Sequence, residues 1–283
     1  MDDYSVNEEL RNIQKACFLI LHKFKEVCNN NGFRYYLAYG TLLGAIRHNG
    51  YIPWDDDIDV WMPRPDMIKF LNVAEEQMCP YVINYYTIKN NASFKYRSQP
   101  CIEDQKVKVG FNLGGAIKDG YIWIDIMPLD GMPSNKILQK VRCARFRFMY
   151  ILIGFARSAK IGAFNKNSKK GLQKIGIVLN EVFRIGKLLN INKRLHKFDK
   201  FRTKYSFDET ELIIGSTTSY IEKSIFNKEW FDGERCIEFE GEEYKIPSKA
   251  ELILEKLYNN YMQLPPVDKR VRSHFSILYK ADE

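Results

Sequence analysis

Asp57 and Asp59 stand two apart in the stretch Trp54-Asp55-Asp56-Asp57-Ile58-Asp59-Val60-Trp61-Met62. Ile58, Val60 and Met62 alternate with them, which is the period of a β-strand. On a strand the two carboxylates leave the same face, roughly 6 to 7 Å apart at Cα. Like charges at that separation repel unless a cation lies between them. Carboxylate oxygens are hard ligands that suit Mg2+ or Mn2+, ions that keep positions open for substrate phosphates. Asp55 lies one step further along the same face and is expected to support the pair.

Just upstream runs Gly40-Thr41-Leu42-Leu43-Gly44-Ala45-Ile46-Arg47-His48. Gly40 permits close approach of backbone to a ligand. Thr41 falls at the start of a short helix, where unpaired N–H groups and the helix dipole favour an anion. A phosphate held there sits close to a metal held by Asp57 and Asp59, and Arg47 and His48 add positive charge at the far end. Together these residues read as a site for a nucleotide diphosphate. Trp54 is a candidate to pack on a group of the substrate, with a core tryptophan as the plainer reading. Lys95 and Arg97 alternate onto one face of a strand predicted over 94–97 and are candidates for the diphosphate, with solvated surface cations as the alternative.

Competing chemistries fit less well. An acidic run is most often a solvated loop, but this one enters an apolar strand, where an unpaired carboxylate is costly. An EF-hand loop needs glycine where Val60 stands. A haloacid-dehalogenase-type phosphatase expects Thr or Val where Trp61 stands. An Asp-x-Asp glycosyltransferase lacks the preceding Gly-Thr unit, an order found in nucleotidyltransferase-like sites. Those sites add a third carboxylate from a neighbouring strand, and Asp125 is the one acid inside the apolar run Tyr121 to Met127.

The elements that must position these residues are legible in part. Ser5 with Glu8 has the form of a capping box, followed by Leu10, Ile13, Cys17, Ile20, Leu21, Phe24 and Cys28 at helical spacing and a stop at Gly32. Strands are predicted over 34–39, 58–62, 81–88 and 121–127, the last ended by Pro128 and an Asp130-Gly131 turn. Pro65 and Asp66 open a helix toward Met78. Ile237 and Phe239 face Tyr244 and Ile246 across Gly241 as a hairpin. Ser248 and Glu251 form a second capping box before a helix that runs past Tyr258 and Tyr261 to Pro265-Pro266. The fold class is α+β: a mixed sheet with flanking helices and a basic helical insertion. The expected organisation is a catalytic core over 1–135, a basic helical segment over 136–205, and a part over 206–283 that completes the core.

Charge sets that segment apart. Residues 136–204 hold 19 Lys or Arg against only Glu181 and Asp199, a balance of +17; the rest holds 24 basic and 33 acidic residues, a balance of −9. A local block of this kind points to one face meeting an anionic surface. At 45% hydrophobic and 28% charged the composition is that of a globular protein. The acidic start Met1-Asp2-Asp3 has no signal-peptide form, and the longest apolar run, Phe148 to Ala156, is too short to cross a bilayer. The expected location is therefore cytoplasmic, peripheral to the inner face of the membrane. Six cysteines with no C-x-x-C spacing are expected to be reduced thiols, and four scattered histidines argue against a His-rich metal site.

The chain resembles the LicD-type phosphotransferases, relatives of the fukutin proteins. The resemblance rests on Gly40 to Phe70, including Arg64, Asp66 and Phe70; on Phe94-Lys95-Tyr96-Arg97; on Ile124-Asp125-Ile126-Met127-Pro128-Leu129-Asp130; and on Leu257-Tyr258 with Tyr261-Met262 and Leu264-Pro265-Pro266. Met127 stands where Phe is commoner. The resemblance implies a nucleotidyltransferase-like fold and metal ligation by Asp57, Asp59 and Asp125. It implies transfer of phosphocholine from CDP-choline, or of a polyol phosphate from its CDP-linked donor, to a sugar of a cell-surface polymer or its lipid-linked precursor. Two other readings remain: a template-independent polymerase on RNA, against which the basic block's few stacking aromatics argue and for which no nucleic-acid partner is expected; and a scaffold with a relic site, which the intact carboxylates and Gly40-Thr41 disfavour.

Overall fold

The computed structural model describes residues 8–88, 97–113, 116–161, 185–215, 221–271 and 275–278. The chain is α+β. The long first helix α1 (Glu8–Asn31) forms because Leu10, Ile13, Cys17, Ile20, Leu21, Phe24 and Cys28 share one stripe, and every one of them is buried. Gly32 ends it with φ 66°. Ser5 of the expected capping box lies outside the described residues.

The chain then runs through β1 (Tyr36–Leu37), α2 (Tyr39–His48), β2 (Asp59–Pro63), α3 (Arg64–Gln77), β3 (Val82–Asn84), β4 (Cys101–Leu113) and β5 (Ala116–Met132). The helices α4 (Lys136–Ile161), α5 (Ile185–Leu188) and α6 (Ile191–Arg202) follow. β6 (Leu212–Gly215), β7 (Ile225–Asn227), β8 (Arg235–Phe239), β9 (Glu242–Ile246), α7 (Ala250–Tyr258) and β10 (Phe275–Leu278) complete it. The main sheet runs β1-β2-β5-β4-β10, with β3 on β4, β6 on β5 and β7 on β6. Among the described residues only β2 against β5 is parallel. β8 and β9 form the predicted hairpin, with Ile237 opposite Tyr244 and Gly241 at φ 83°. α1 lies across β4, β5 and β10, while α2 and α3 flank β2.

Several expectations are corrected. The strand over 34–39 shrinks to two residues, because Tyr39 takes φ 42° and turns the chain directly into α2. The strand over 81–88 pairs only at Val82–Asn84 and then turns. β5 does not stop at Pro128, and Asp130-Gly131 is no turn: the strand continues to Met132. β4 pairs with it only as far as Asp125 and β6 takes over from Leu129, so Pro128 falls between two partners on that edge. The second capping box fails because both side chains have distant partners. Ser248 donates to the Trp230 carbonyl, and Glu251 takes the Arg235 guanidinium in two bonds of 2.7 and 2.8 Å. α7 also ends before the prolines, at Asn259 with φ 58°.

Most apolar side chains join one core between the sheet and α1, α2, α3 and α7. A second cluster packs Cys143, Phe146 and Ile153 of α4 on Leu195 and Phe198 of α6, and reaches the sheet at Met132, Ile214 and Ile225. The two regions are also tied by charge. Arg64, at the start of α3, grips Asp130 of β5 through bonds of 2.6 and 2.7 Å and reaches Asp199 of α6 at 3.2 Å. Arg202 joins Asp199 at 2.8 Å. Burial disfavours the Arg64 charge, but Asp130 and Asp199 more than offset it and hold its pKa above the ordinary range.

Candidate active site

The paired part of β2 opens at Asp59, so Asp57 lies in the connecting loop rather than on the strand. The two carboxylates are therefore not set by a shared pleat, and a different pairing brings acids together across strands. In the parallel ladder Asp59 is the register partner of Asp125, and the Asp125 amide donates to the Ile58 carbonyl at 2.9 Å. The loop adds a compact group: one carboxylate oxygen from each of Asp55, Asp56 and Asp57 lies within 4.8 Å of the others.

Asp55, Asp56, Asp59 and Asp125 each meet a residue that the sequence separates from them. The Asp59 amide donates to the Thr41 hydroxyl at 2.9 Å, which locks the start of β2 onto the first turn of α2. Thr41 is buried, so its hydroxyl is a structural tie, while its place at the helix start is as expected. The Asp55 carboxylate lies against Gly40: a Cβ there would meet Asp55 Oδ2 at 2.7 Å. Glycine at 40 therefore makes room for an acid at the N-terminus of α2. Asp56 is fully buried and its Oδ2 accepts the Phe275 amide at 2.7 Å, which joins the loop to β10. Asp125 accepts from Arg97 and, at 3.1 Å, from Trp123 Nε1. Arg97 lies 4.9 Å from the centre of the Trp123 ring. Burial works against the Arg97 charge, but Asp125, Cys101 and Glu103 together hold its pKa above the ordinary range.

Beneath the acids lies Cys17 of α1, whose thiol touches the carbonyls of Asp56 and Trp123. Burial, followed by the charges of Asp57, Asp56, Asp125 and Asp55, pushes this thiol well up. This one thiol thus lies within electrostatic range of three acids of the loop and one of β5. Sequence reasoning had no signal for Cys17; its helical spacing marks it as core.

Arg47 and His48 sit at the other end of α2 and gather a second group. Arg47 donates to the Tyr261 carbonyl at 2.7 Å and to His48 Nε2 at 2.9 Å. The Trp54 ring stands edge-on to His48 at 6.4 Å and carries the Arg270 guanidinium over its face at 5.4 Å. Burial and then Arg270 lower the Arg47 pKa; burial and then Arg47 lower that of His48. Arg270 was missed, because nothing near it in the sequence marks it as a partner of Trp54. Lys95 and the rest of the strand predicted over 94–97 lie outside the described residues, and Arg97 itself is not in a strand. The six cysteines are free thiols.

An all-oxygen carboxylate set at the mouth of a helix N-terminus fits a hard divalent cation and a phosphate together. Residues 32–109 match the family model described as LicD/FKTN/FKRP, nucleotidyltransferase domain. Along 285 aligned positions the chain is 28% identical to the lipopolysaccharide cholinephosphotransferase LicD of Haemophilus influenzae, covering 95% of this chain and 97% of that protein. The chain thus matches a LicD-type domain over residues 32–109 and is similar to a LicD protein along nearly its whole length. Shorter matches, 35% identical over 89 residues and 36% over 71, join it to uncharacterised proteins of Rickettsia typhi and Rickettsia prowazekii. They cover 31% and 25% of this chain and 27% of each relative. Arg64 and Asp130, two of the residues that carry the LicD resemblance, are the buried pair that fastens α3 to β5.

Proposed function

We propose that this chain transfers phosphocholine from CDP-choline to a sugar hydroxyl of a cell-surface glycan or of its lipid-linked precursor, releasing CMP. The observation that carries the reading is the near full-length likeness to a lipopolysaccharide cholinephosphotransferase. The compact acids of the loop and the register pair Asp59 and Asp125 support it. Asp57, Asp59 and Asp125 would hold Mg2+ or Mn2+, with Asp55 in support; such an ion would offset charge on the attacking and leaving oxygens. The acceptor oxygen attacks the phosphorus that bears choline, the bond to the CMP oxygen breaks in line, and the hydroxyl proton passes to water.

The chain's own contribution is positioning. The start of α2, where Gly40 admits the Asp55 carboxylate, sets that acid beside the donor diphosphate. Arg97 fixes Asp125 and brings a guanidinium next to the phosphates, with Lys95 nearby in sequence. Arg47, His48 and Trp54, gathered with Arg270, form the more distant wall of the substrate site. With a lipid-linked acceptor the enzyme works at the inner face of the membrane. No helix among the described residues is long and apolar enough to cross a bilayer.

CMP release measured with CDP-choline, CDP-ribitol and CDP-glycerol, each with glycan acceptor and Mg2+, tests the reading. Turnover highest with CDP-choline is expected. A preference for either polyol donor would reassign the transferred group, and no release from any of them would remove the function.

A further inference from the structure

Helix α4 is apolar on two opposite faces, and only one of them packs in the core formed by the described residues. At 100° per residue, Cys143, Phe146 and Ile153 fall on the side packed against α6. Ile137, Val141, Ala144, Phe148 and Ile151 fall on the opposite side, along one line. There Ile137 is 72% exposed, Val141 58%, Phe148 61% and Ile151 47%. Large apolar groups in a continuous stripe, rather than singly, mark a surface that meets something.

Charge identifies what it meets. α4 carries seven Lys or Arg and no Asp or Glu. Exposed Lys140, Arg145 and Arg147 border the stripe. Next to it, Arg145 of α4 and Lys197, Lys200 and Lys204 line an open groove between α4 and the end of α6. An apolar stripe rimmed by cations is the form of a helix that lies in the plane of an anionic bilayer, its apolar face between the acyl chains and its cations among the headgroups. The same cations keep the helix from spanning the bilayer.

We infer that α4 is the membrane-docking surface of this protein, inserting Ile137, Val141, Phe148 and Ile151 into a leaflet rich in anionic phospholipid, with Lys140, Lys197 and Lys200 on its headgroups. This rests on the reading that the acceptor is lipid-linked, yet its test needs neither nucleotide nor acceptor. Failure of CMP release and failure of docking are therefore separate results.

The test is flotation with vesicles of phosphatidylcholine alone or with about a third phosphatidylglycerol. The wild-type chain is expected to float only with the anionic vesicles. The combined Ile137→Ser, Val141→Ser, Phe148→Ser and Ile151→Ser variant is expected to lose at least about tenfold in partition, with an unchanged circular dichroism spectrum. Lys140→Gln with Lys197→Gln and Lys200→Gln should bind more weakly and with less dependence on salt. Should the serine variant fail to fold, Phe148→Trp decides: its emission shifts to the blue on anionic vesicles if the helix inserts. A wild-type chain that stays in solution with anionic vesicles, a folded serine variant that floats as well as wild type, or no emission shift in the Phe148→Trp variant overturns the proposal. So does light scattering that shows a wild-type dimer dispersed by the serine substitutions without any vesicle binding, because the stripe then joins two copies of this chain.

Discussion

Asp59 and Asp125 are register partners on the only parallel strand pair among the described residues of the main sheet, so the ladder itself sets two acids side by side. Both strands are bonded on their other edges too, the Asp59 carbonyl accepting the Ala38 amide at 3.0 Å and the Ile126 amide donating to the Pro100 carbonyl at 2.9 Å. Thr41 is the weak point of the arrangement, because its hydroxyl is the acceptor for the Asp59 amide. Thr41→Val keeps the shape and removes that acceptor. Leaving a buried amide unsatisfied costs about 1–3 kcal/mol. The variant should melt lower and release CMP more slowly, whereas Thr41→Ser should behave nearly as wild type. Equal rates for Val and Ser would show that the hydroxyl does not place Asp59.

Gly40 and Asp55 make a second coupled pair. A methyl at position 40 meets Asp55 Oδ2 at 2.7 Å. Gly40→Ala should destabilise by about 1–3 kcal/mol, the usual cost of overpacking. In an Asp55→Ala background the same change should cost far less, and denaturant melts of the four proteins measure the difference. Additive costs would mean that the carboxylate does not occupy that space.

The bond between Arg64 and Asp130 holds the core to α6 through Asp199. Asp130→Asn leaves a buried guanidinium short of its counter-charge, a loss of about 3–5 kcal/mol. The melting temperature should fall clearly, and proteolysis should open α4 to α6 before the core. A shift of less than about 1 kcal/mol would contradict the role given to this pair.

His48 makes stability depend on pH. Burial and then Arg47 lower its pKa in the folded state below the usual 6.5. The unfolded chain therefore binds the proton more readily, and acid favours unfolding. The contribution is fully present above the unfolded pKa, about 6.5, and is lost as pH falls from there through the lowered folded value. Melting temperatures of wild type and His48→Gln, followed from pH 8 to pH 5, should diverge only in the acid half. Parallel curves would contradict the shift.

The sequence carries the site better than it carries the sheet. Gly40, Thr41 and Asp55 to Asp59 are close in the chain, so their types and spacing mark a candidate site for a phosphate and a cation without any tertiary knowledge. What each acid rests on was hidden: Asp56 is held by the amide of Phe275, 219 residues away, and Asp125 by an arginine outside its own strand. β4 escaped notice because Glu103, Asp104, Lys106 and Lys108 break its apolar pattern, although the strand is paired on both sides. β5 was cut short because Pro128 and Asp130-Gly131 are stop signals locally. Only the change of neighbour from β4 to β6 makes the proline harmless, and only Arg64 makes the buried Asp130 tolerable. Local rules failed where a distant partner supplied what the local chain lacked.

The most direct test of the account is the binding of Mn2+ in the presence of CDP-choline, read by electron paramagnetic resonance for wild type and for Asp57→Asn, Asp59→Asn and Asp125→Asn. Wild type should take up the ion, and each variant should lose uptake together with CMP release while keeping its fold. Full CMP release in the presence of a chelator, or Mn2+ uptake undiminished in all three variants, would contradict it.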